Sequence, residues 1–409
     1  MIYQINSTNK PEGVITLPSS KSISNRILIL NALAGSPYTP ENVSDCDDTR
    51  VMVQVLDSDG SNFDIGAAGT AMRFLTAFLA KTYGIWTITG TERMKNRPIR
   101  LLVDAIEQLG GKIEYLEKDG YPPLRISGTA LNGGKLQLDG GVSSQYISAL
   151  MMIAPYMRDG LTLELTGKVI SKPYIRLTAQ LMMAFGAKVV VKENRVSVLP
   201  CEYKPIPFFV ESDWSAASYW YQIVALADEA NIELPYLQKQ SLQGDSYVAE
   251  LFDKLGVNTT YLKDSVILSK KPVLSRKFIH NFVDQPDLAQ TFVVTCCLLN
   301  IPFYFSGLQS LKIKETDRIE ALKCEMKKLG YLITDKKDSV LEWNGERCEG
   351  SDEPVHTYED HRMAMAFAPA CLKLGNIRIQ DPQVVTKSYP HYWEDLQKAG
   401  LHVEILKEH

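Results

Sequence analysis

Residues Gln108–Leu116 read Q-L-G-G-K-I-E-Y-L: an amphipathic run stops on glycine and an alternating, strand-like run begins. Glycine just past a helix accepts the left-handed backbone that ends it, at little steric cost. The same ending recurs as A-F-G-A-K-V-V-V (Ala184–Val191), K-L-G-V-N-T-T-Y-L (Lys254–Leu262), K-L-G-Y-L-I-T-D (Lys328–Asp335) and K-A-G-L-H-V-E-I-L (Lys398–Leu406). The pivotal glycines are Gly110, Gly186, Gly256, Gly330 and Gly400, so successive copies lie 76, 70, 74 and 70 residues apart. That period is too long for a solenoid repeat and suits a small α/β unit. A sixth copy is expected upstream, where V-M-V-Q-V-L-D-S-D-G (Val51–Gly60) resembles its helix, but the hairpin that should follow is missing. The competing account is chance recurrence of a common helix ending. Five copies at near-constant spacing weigh against it, and the chain reads as six similar units, the first shortened.

Within the units, helix faces are apolar at helical spacing, as in Ile319, Leu322, Met326 and Leu329. The run S-G-L-Q-S-L-K-I (Ser306–Ile313) reads as a strand, and the pairs Met151–Met152 and Met182–Met183 read as core.

The 409 residues, 45% hydrophobic and 22% charged, suit a soluble globular protein of two or three domains. A net charge of −4 gives no overall basic field for nucleic acid. The N-terminus shows no basic-then-apolar signal pattern, and the most apolar window, Phe292–Phe305, is short and interrupted by Thr295, Asn300 and Pro302. Seven scattered cysteines without C-x-x-C fit reduced thiols in a cytoplasm, and the six histidines show no ligand spacing, so neither a metal nor a membrane is expected.

Several helices open with hydroxyl residues and a cation: S-S-K-S-I-S-N-R (Ser19–Arg26), G-A-A-G-T-A-M-R (Gly66–Arg73), S-K-P-Y-I (Ser171–Ile175) and T-D-R-I (Thr316–Ile319). G-G-V-S-S-Q-Y (Gly140–Tyr146) brings the hydroxyls alone. Ser and Thr there serve as N-caps worth about 1 kcal/mol each. A helix N-terminus is also an anion site, and cations placed there oppose the dipole unless an anion is present. The glycines match neither a P-loop nor a dinucleotide fingerprint, so a phosphate or carboxylate on a small molecule is the expected ligand.

Taken in order, S-K-S-I-S-N-R, A-G-T-A-M-R, R-M-K-N-R-P-I, S-S-Q-Y, S-K-P-Y-I, Q-G-D (Gln243–Asp245), P-D-L-A (Pro286–Ala289), K-E-T-D-R (Lys314–Arg318), D-H-R-M-A-M (Asp360–Met365) and K-S-Y-P (Lys387–Pro390) resemble the 5-enolpyruvylshikimate-3-phosphate synthase family of enolpyruvyl transferases. The resemblance spans nearly the whole chain. It implies an α/β fold of two similar domains, each of three βαβαββ-type units about a pseudo-threefold axis. Residues 21–212 would form one domain, residues 1–20 and 213–409 the other, with the active site between them. It implies transfer of the enolpyruvyl group of phosphoenolpyruvate to the 5-hydroxyl of shikimate 3-phosphate, by addition and elimination, with no cofactor. A cytoplasmic monomer is expected.

The same resemblance assigns roles. Lys21, Gly69, Arg97, Gln145, Arg318, Arg362 and Lys387 would bind phosphoenolpyruvate. Lys21, Ser22, Arg26, Ser143, Ser144, Gln145, Ser171, Tyr174, Asp287, Ser310 and Lys314 would bind shikimate 3-phosphate. Asp287 is the candidate base for the hydroxyl, and Glu315, assisted by Lys21, the candidate proton shuttle. Neighbouring cations would keep such carboxylates ionised while burial raises their pKa, and the sequence leaves that balance open. Plainer roles are expected for Asp317 (helix start), Asp360 and His361 (positioning Arg362), Arg73 and Lys95 (structural) and Lys172 (solvated).

Two positions depart from the family pattern: Ala67 and Ser310 stand where asparagine is usual, so weaker contact to shikimate 3-phosphate is expected from Ser310. The missing first hairpin raises the question of what supports the Gly69 loop. Two alternatives stay open. One is a UDP-N-acetylglucosamine enolpyruvyl transferase, against which the loop G-T-E-R-M-K-N-R-P lacks a cysteine. The other is a degenerate relative that binds without turnover.

Overall fold

The computed structural model describes residues 1–7, 10–141 and 143–406. The chain divides into two compact units, Met1–Pro18 with Glu211–His409, and Ser19–Val210. Gly110, Gly186, Gly256, Gly330 and Gly400 all take positive φ, between 86° and 97°. Each stops a helix, so the recurring ending is a real helix C-cap that turns the chain into its next strand.

The repeat is visible in the strand order. In Ser19–Val210, strand Asn62–Asp64, helix Gly69–Lys81, strand Gly84–Thr89, helix Arg100–Gln108 and strands Lys112–Tyr115 and Leu124–Gly128 give a βαβαββ order. The first two strands pair parallel, and the fourth inserts antiparallel between the second and third. Gly134–Val198 repeats that order with helices Ser144–Ile153 and Lys172–Ala184. In the other unit, Glu12–Val14 pairs parallel with Asn231–Pro235 and opens one such sheet, and Phe278–Asn281 opens another. The last sheet is closed by the N-terminal strand Ile2–Asn6, which lies antiparallel between Asn376–Gln380 and His402–Leu406. The first repeat has helices Lys21–Leu33 and Asp47–Leu56 but, among the described residues, only a single parallel bridge, Glu41 to Phe209, and no sheet. It is the shortened unit.

Each unit is built around three buried helices. In one these are Trp214–Leu226, Ala289–Leu298 and His361–Phe367; every residue of the latter two is buried. In the other they are Lys21–Leu33, Gly69–Lys81 and Ser144–Ile153. Helices apolar on all sides belong in an interior, and that is what sequences such as A-Q-T-F-V-V-T-C-C-L encode. Their first turns carry several of the candidate functional side chains, among them Lys21, Ser22, Gly69, Gln145 and Arg362.

Two expectations are corrected. Ser306–Ile313 is not a strand: the strand stops at Ser306, Gly307 takes φ 75°, and Gln309–Ile313 forms a 3₁₀ turn. Leu308 and Leu311 are both fully buried, the spacing of three that a 3₁₀ turn places on one face. Met151, Met152 and Met182 are core, but Met183 is 46% exposed, because it borders an open groove beside its helix.

Candidate active site

The unit containing residues 211–406 concentrates charge around one buried guanidinium. Arg318, first residue of helix Arg318–Lys328, is 1% exposed. Its Nε donates to Asp360 Oδ2 at 2.7 Å and its Nη2 to Asp360 Oδ1 at 3.2 Å. Nη2 also reaches Glu315 Oε2 at 2.9 Å, and Nη1 reaches Asp287 Oδ1 at 3.3 Å. With its amide oxygen toward Arg318, Gln290 accepts from Nε at 3.0 Å and from Nη1 at 3.3 Å. Burial works against the guanidinium charge, but Asp360, Glu315 and Asp287 outweigh it and hold the pKa above its ordinary value.

Asp287, in the turn Pro286–Leu288 that leads into helix Ala289–Leu298, is the second centre. Its Oδ2 lies 3.1 Å from Arg362 Nη2, and its Oδ1 lies 3.7 Å from Lys314 Nζ as well as near Arg318. Burial alone would raise this carboxyl; Arg362, Lys314 and Arg318 reverse that and hold it below the usual carboxylate range. The balance left open by the sequence is decided for the cations. Glu315 bridges two of them, with Oε2 on Arg318 and Oε1 3.2 Å from Lys387 Nζ. Arg362 is further steadied by donating to Tyr219 Oη at 3.4 Å and to the Asp287 carbonyl at 3.3 Å.

Asp317 caps its helix by accepting from Glu320 N at 3.2 Å, and it pairs with Lys312 at 2.9 Å. Asp360 caps the helix that begins at His361 by accepting from Arg362 N, but its carboxylate serves Arg318 rather than the Arg362 guanidinium. Ser310 lies in the 3₁₀ turn, half-buried. Spacing gave no sign of two groups here. Gln290 supports Arg318, and Asp245 is a buried carboxyl whose Oδ2 accepts from the Ser215 hydroxyl and whose Oδ1 has no hydrogen-bond partner. Burial, then the Asp287 charge, push Asp245 up to about 7.

The unit Ser19–Val210 carries the remaining candidates at the starts of its own buried helices. Lys21 opens helix Lys21–Leu33 and lies 3.6 Å from Asp48 Oδ2, a partner that spacing did not reveal. Gly69 opens helix Gly69–Lys81 against Arg97: a Cβ there would sit 2.4 Å from Arg97 Nη1. The close approach at Gly69 is thus with the Arg97 guanidinium, which a side chain there would displace. Arg73 donates to the Gly69 and Pro98 carbonyls at 3.2 and 3.1 Å, which ties the glycine turn to the segment carrying Arg97. Gly66 N bonds Asp64 and its carbonyl accepts from Thr91 N, so this loop is held from within its own repeat. Lys95 is engaged by Glu117 at 2.9 Å and Glu92 at 3.3 Å.

Gln145 donates to Thr70 Oγ1 at 3.1 Å, joining the first turns of two buried helices. Ser143 caps one of them by accepting from Gln145 N, with Ser144 buried beside it. Ser171 departs from that pattern. It is the N-cap of helix Lys172–Ala184 with φ 54°, and its hydroxyl makes no capping bond. A left-handed serine costs about 1–2 kcal/mol, and such strain gathers at ligand sites. Arg26 is 3% exposed and bonds Thr178 Oγ1 at 2.7 Å, the Ser22 carbonyl at 2.8 Å and Ser148 Oγ at 3.1 Å. Its guanidinium lies 5.8 Å from the Tyr174 ring centroid, and burial lowers its pKa to about 10. Here Arg26 binds three helices together and positions Ser22 and Tyr174.

Among the described residues, no three His, Cys, Asp or Glu side chains gather as metal ligands, and no helix is long and apolar enough to cross a membrane. The model of one protein family, EPSP synthase (3-phosphoshikimate 1-carboxyvinyltransferase), matches residues 5–61 and 57–396. The chain belongs to the EPSP synthase family. A 3-phosphoshikimate 1-carboxyvinyltransferase of Bacteroides fragilis is 57% identical over 410 residues, which is 100% of each chain. One from Vibrio cholerae is 34% identical over 411 residues, 93% of this chain and 95% of the relative. A solved EPSP synthase from Acinetobacter baumannii has the same fold, with a TM-score of 0.77 at 21% identity over 99% of this chain and 100% of that one. As an EPSP synthase relative over its full length, the chain is an enzyme, a transferase with the enolpyruvyl transferase fold.

Proposed function

We propose that this enzyme moves the enolpyruvyl group of phosphoenolpyruvate to the 5-hydroxyl of shikimate 3-phosphate and releases phosphate. The observation that carries the residue assignment is the pair of half-buried carboxylates, Asp287 and Glu315, held on Arg318 among Arg362, Lys314 and Lys387. We take the two compact units as its two domains, with roles drawn from both.

Lys21, Arg97, Arg318, Arg362 and Lys387 bind the phosphate and carboxylate of phosphoenolpyruvate, with Gly69 and Gln145 shaping the place. Arginine suits a planar carboxylate because its fork binds both oxygens. Ser143, Ser144 and Ser171 take the phosphate of shikimate 3-phosphate; Lys21, Ser22, Arg26, Gln145, Tyr174, Ser310 and Lys314 take the rest. Asp287 removes the proton of the 5-hydroxyl as its oxygen attacks the central carbon of phosphoenolpyruvate. Glu315, with Lys21, delivers a proton to the methylene carbon, giving a tetrahedral intermediate. Loss of phosphate and of a methyl proton restores the double bond. Position and charge do the work, as in other general acid–base reactions.

The ligand-free electrostatics supply a control on this chemistry. Three cations make Asp287 a poor base. A bound phosphoenolpyruvate offers the same cations its own anionic oxygens, so Asp287 gains basicity only when the donor is present. Incubation with phosphoenolpyruvate and either shikimate 3-phosphate or UDP-N-acetylglucosamine, followed by phosphate assay, tests the proposal. Release with shikimate 3-phosphate is expected. Release with the UDP-sugar alone, or binding of shikimate 3-phosphate without release, would overturn it.

A further inference from the structure

Helix Lys172–Ala184 has two working faces. Tyr174 and Thr178 point at Arg26, as described above. Lys172, Arg176, Ala179 and Met183 lie on another side, at i, i+4, i+7 and i+11, and border a cavity of about 490 Å³. The cavity opens between this helix and the hairpin of strands Val189–Lys192 and Arg195–Val198. Its floor is apolar and sealed: Leu165, Ile175, Ala179 and Val196 are each no more than 5% exposed. Its rim leaves Met183 46% and Val191 37% exposed.

The charges at this rim are unusual. Lys172 and Arg176 are one helical turn apart and, among the described residues, neither has an acidic partner within ion-pair distance. Like charges at this spacing destabilise a helix slightly, and Lys172 in the first turn also opposes the dipole. Glu193, in the hairpin turn, lines the same cavity but pairs with neither. The balance at the rim is therefore one net positive charge over an apolar floor. The volume lies within the roughly 300–1,000 Å³ typical of small-molecule sites.

We propose that this cavity binds a small amphipathic monocarboxylate, an aryl or short alkyl body on the floor with its carboxylate on Lys172 and Arg176. Arginine favours the planar carboxylate through two parallel hydrogen bonds. The one neutral polar side chain among the lining residues, the exposed Gln180 at the rim, leaves the floor itself apolar and poorly suited to a sugar or a polyanion. The site is separate from the proposed reaction and does not depend on it.

The test uses the full chain carrying methyl-labelled methionine, titrated with 4-phenylbutyrate and with its neutral counterpart 4-phenylbutanol. The Met183 methyl reports the groove, and the buried Met152 methyl serves as control. Saturable shifts at Met183 are expected, with the carboxylate bound about tenfold more tightly than the alcohol. Arg176→Glu should remove that preference, and Ala179→Phe should abolish binding by filling the floor. Arg176 is exposed, so its variant should keep the wild-type melting temperature and remain interpretable if Ala179→Phe does not fold. No saturable shift at Met183, equal affinity for acid and alcohol, or an Arg176→Glu protein that binds the acid as before would each overturn the proposal.

Discussion

Arg318 and Asp360 meet edge to edge, with Nε 2.7 Å from Oδ2 and Nη2 3.2 Å from Oδ1, and both side chains are almost wholly buried. Removing one member of a buried pair leaves the other uncompensated, at a cost of about 3–5 kcal/mol. Asp360→Asn keeps the shape but turns an amide N–H toward a donor. It should lower the urea midpoint by the equivalent of that range and loosen the helix cap at Arg362. Arg318→Lys keeps the charge, loses the fork, and should raise KM for phosphoenolpyruvate by about tenfold or more. An Asp360→Asn protein as stable as wild type would show that Glu315, Asp287 and Gln290 together hold Arg318 without the Asp360 charge.

The two carboxylates held by Arg318 are expected to separate kinetically. Glu315→Gln and Asp287→Asn preserve volume and remove proton transfer, which typically contributes a factor of roughly 10²–10⁴. Both should cut kcat on that scale. Glu315→Gln should leave the affinities for both substrates, read by equilibrium titration, within a few-fold of wild type. Unchanged turnover in either variant removes that residue from the mechanism.

Much of this arrangement was legible because local chemistry demanded it. A helix stop with positive φ calls for glycine, so Gly110, Gly186, Gly256, Gly330 and Gly400 announced the repeat. Cations in first turns oppose the dipole, so Lys21 and Arg318 stood out as ligand-directed. What stayed hidden depends on packing between distant segments. Asp48 meets Lys21, Asp360 meets Arg318 across 42 residues, and Gln290 turns to Arg318 only because two helices lie side by side. Ile2–Asn6 gave no sign that it closes the last sheet, since a strand's partner is not written in its own alternation. Ser306–Ile313 misled because spacing three and spacing two coincide over so short a run.

At Gly69 the constraint is steric. A methyl group there would come within 2.4 Å of Arg97 Nη1, so Gly69→Ala should push Arg97 aside rather than unfold the helix, where alanine is the better residue. KM for phosphoenolpyruvate should rise, with kcat and melting temperature much less affected. If Arg97 serves another substrate, KM for shikimate 3-phosphate would rise instead.

Ser171 offers the opposite trade. Glycine accepts φ 54° without strain, so Ser171→Gly should stabilise the protein by up to about 1 kcal/mol while removing a hydroxyl proposed to hold phosphate. A higher melting temperature with raised KM for shikimate 3-phosphate is expected. A variant with unchanged KM would mean that the strained hydroxyl serves no ligand.

Asp245 makes stability depend on pH in a definite direction. Burial, followed by the Asp287 charge, raises its folded-state pKa to about 7, whereas the unfolded chain titrates near the ordinary value of about 3.9. Between those values the folded protein holds a proton that the unfolded chain has lost. This contribution is therefore full below about pH 4, and falls by roughly 1.4 kcal/mol per pH unit as the pH rises toward 7. Asp287 behaves oppositely: its depressed carboxyl contributes above about pH 4 and loses that contribution only on further acidification, outside this window. Asp245→Asn keeps an acceptor for Ser215 and cannot ionise. Its unfolding free energy, measured by urea titration from pH 5 to 8, should fall less than that of wild type, so that the variant gains relative stability as pH rises. Parallel curves for the two proteins would mean that Asp245 is ionised throughout, and that the Asp287 cluster carries one more negative charge than assigned here.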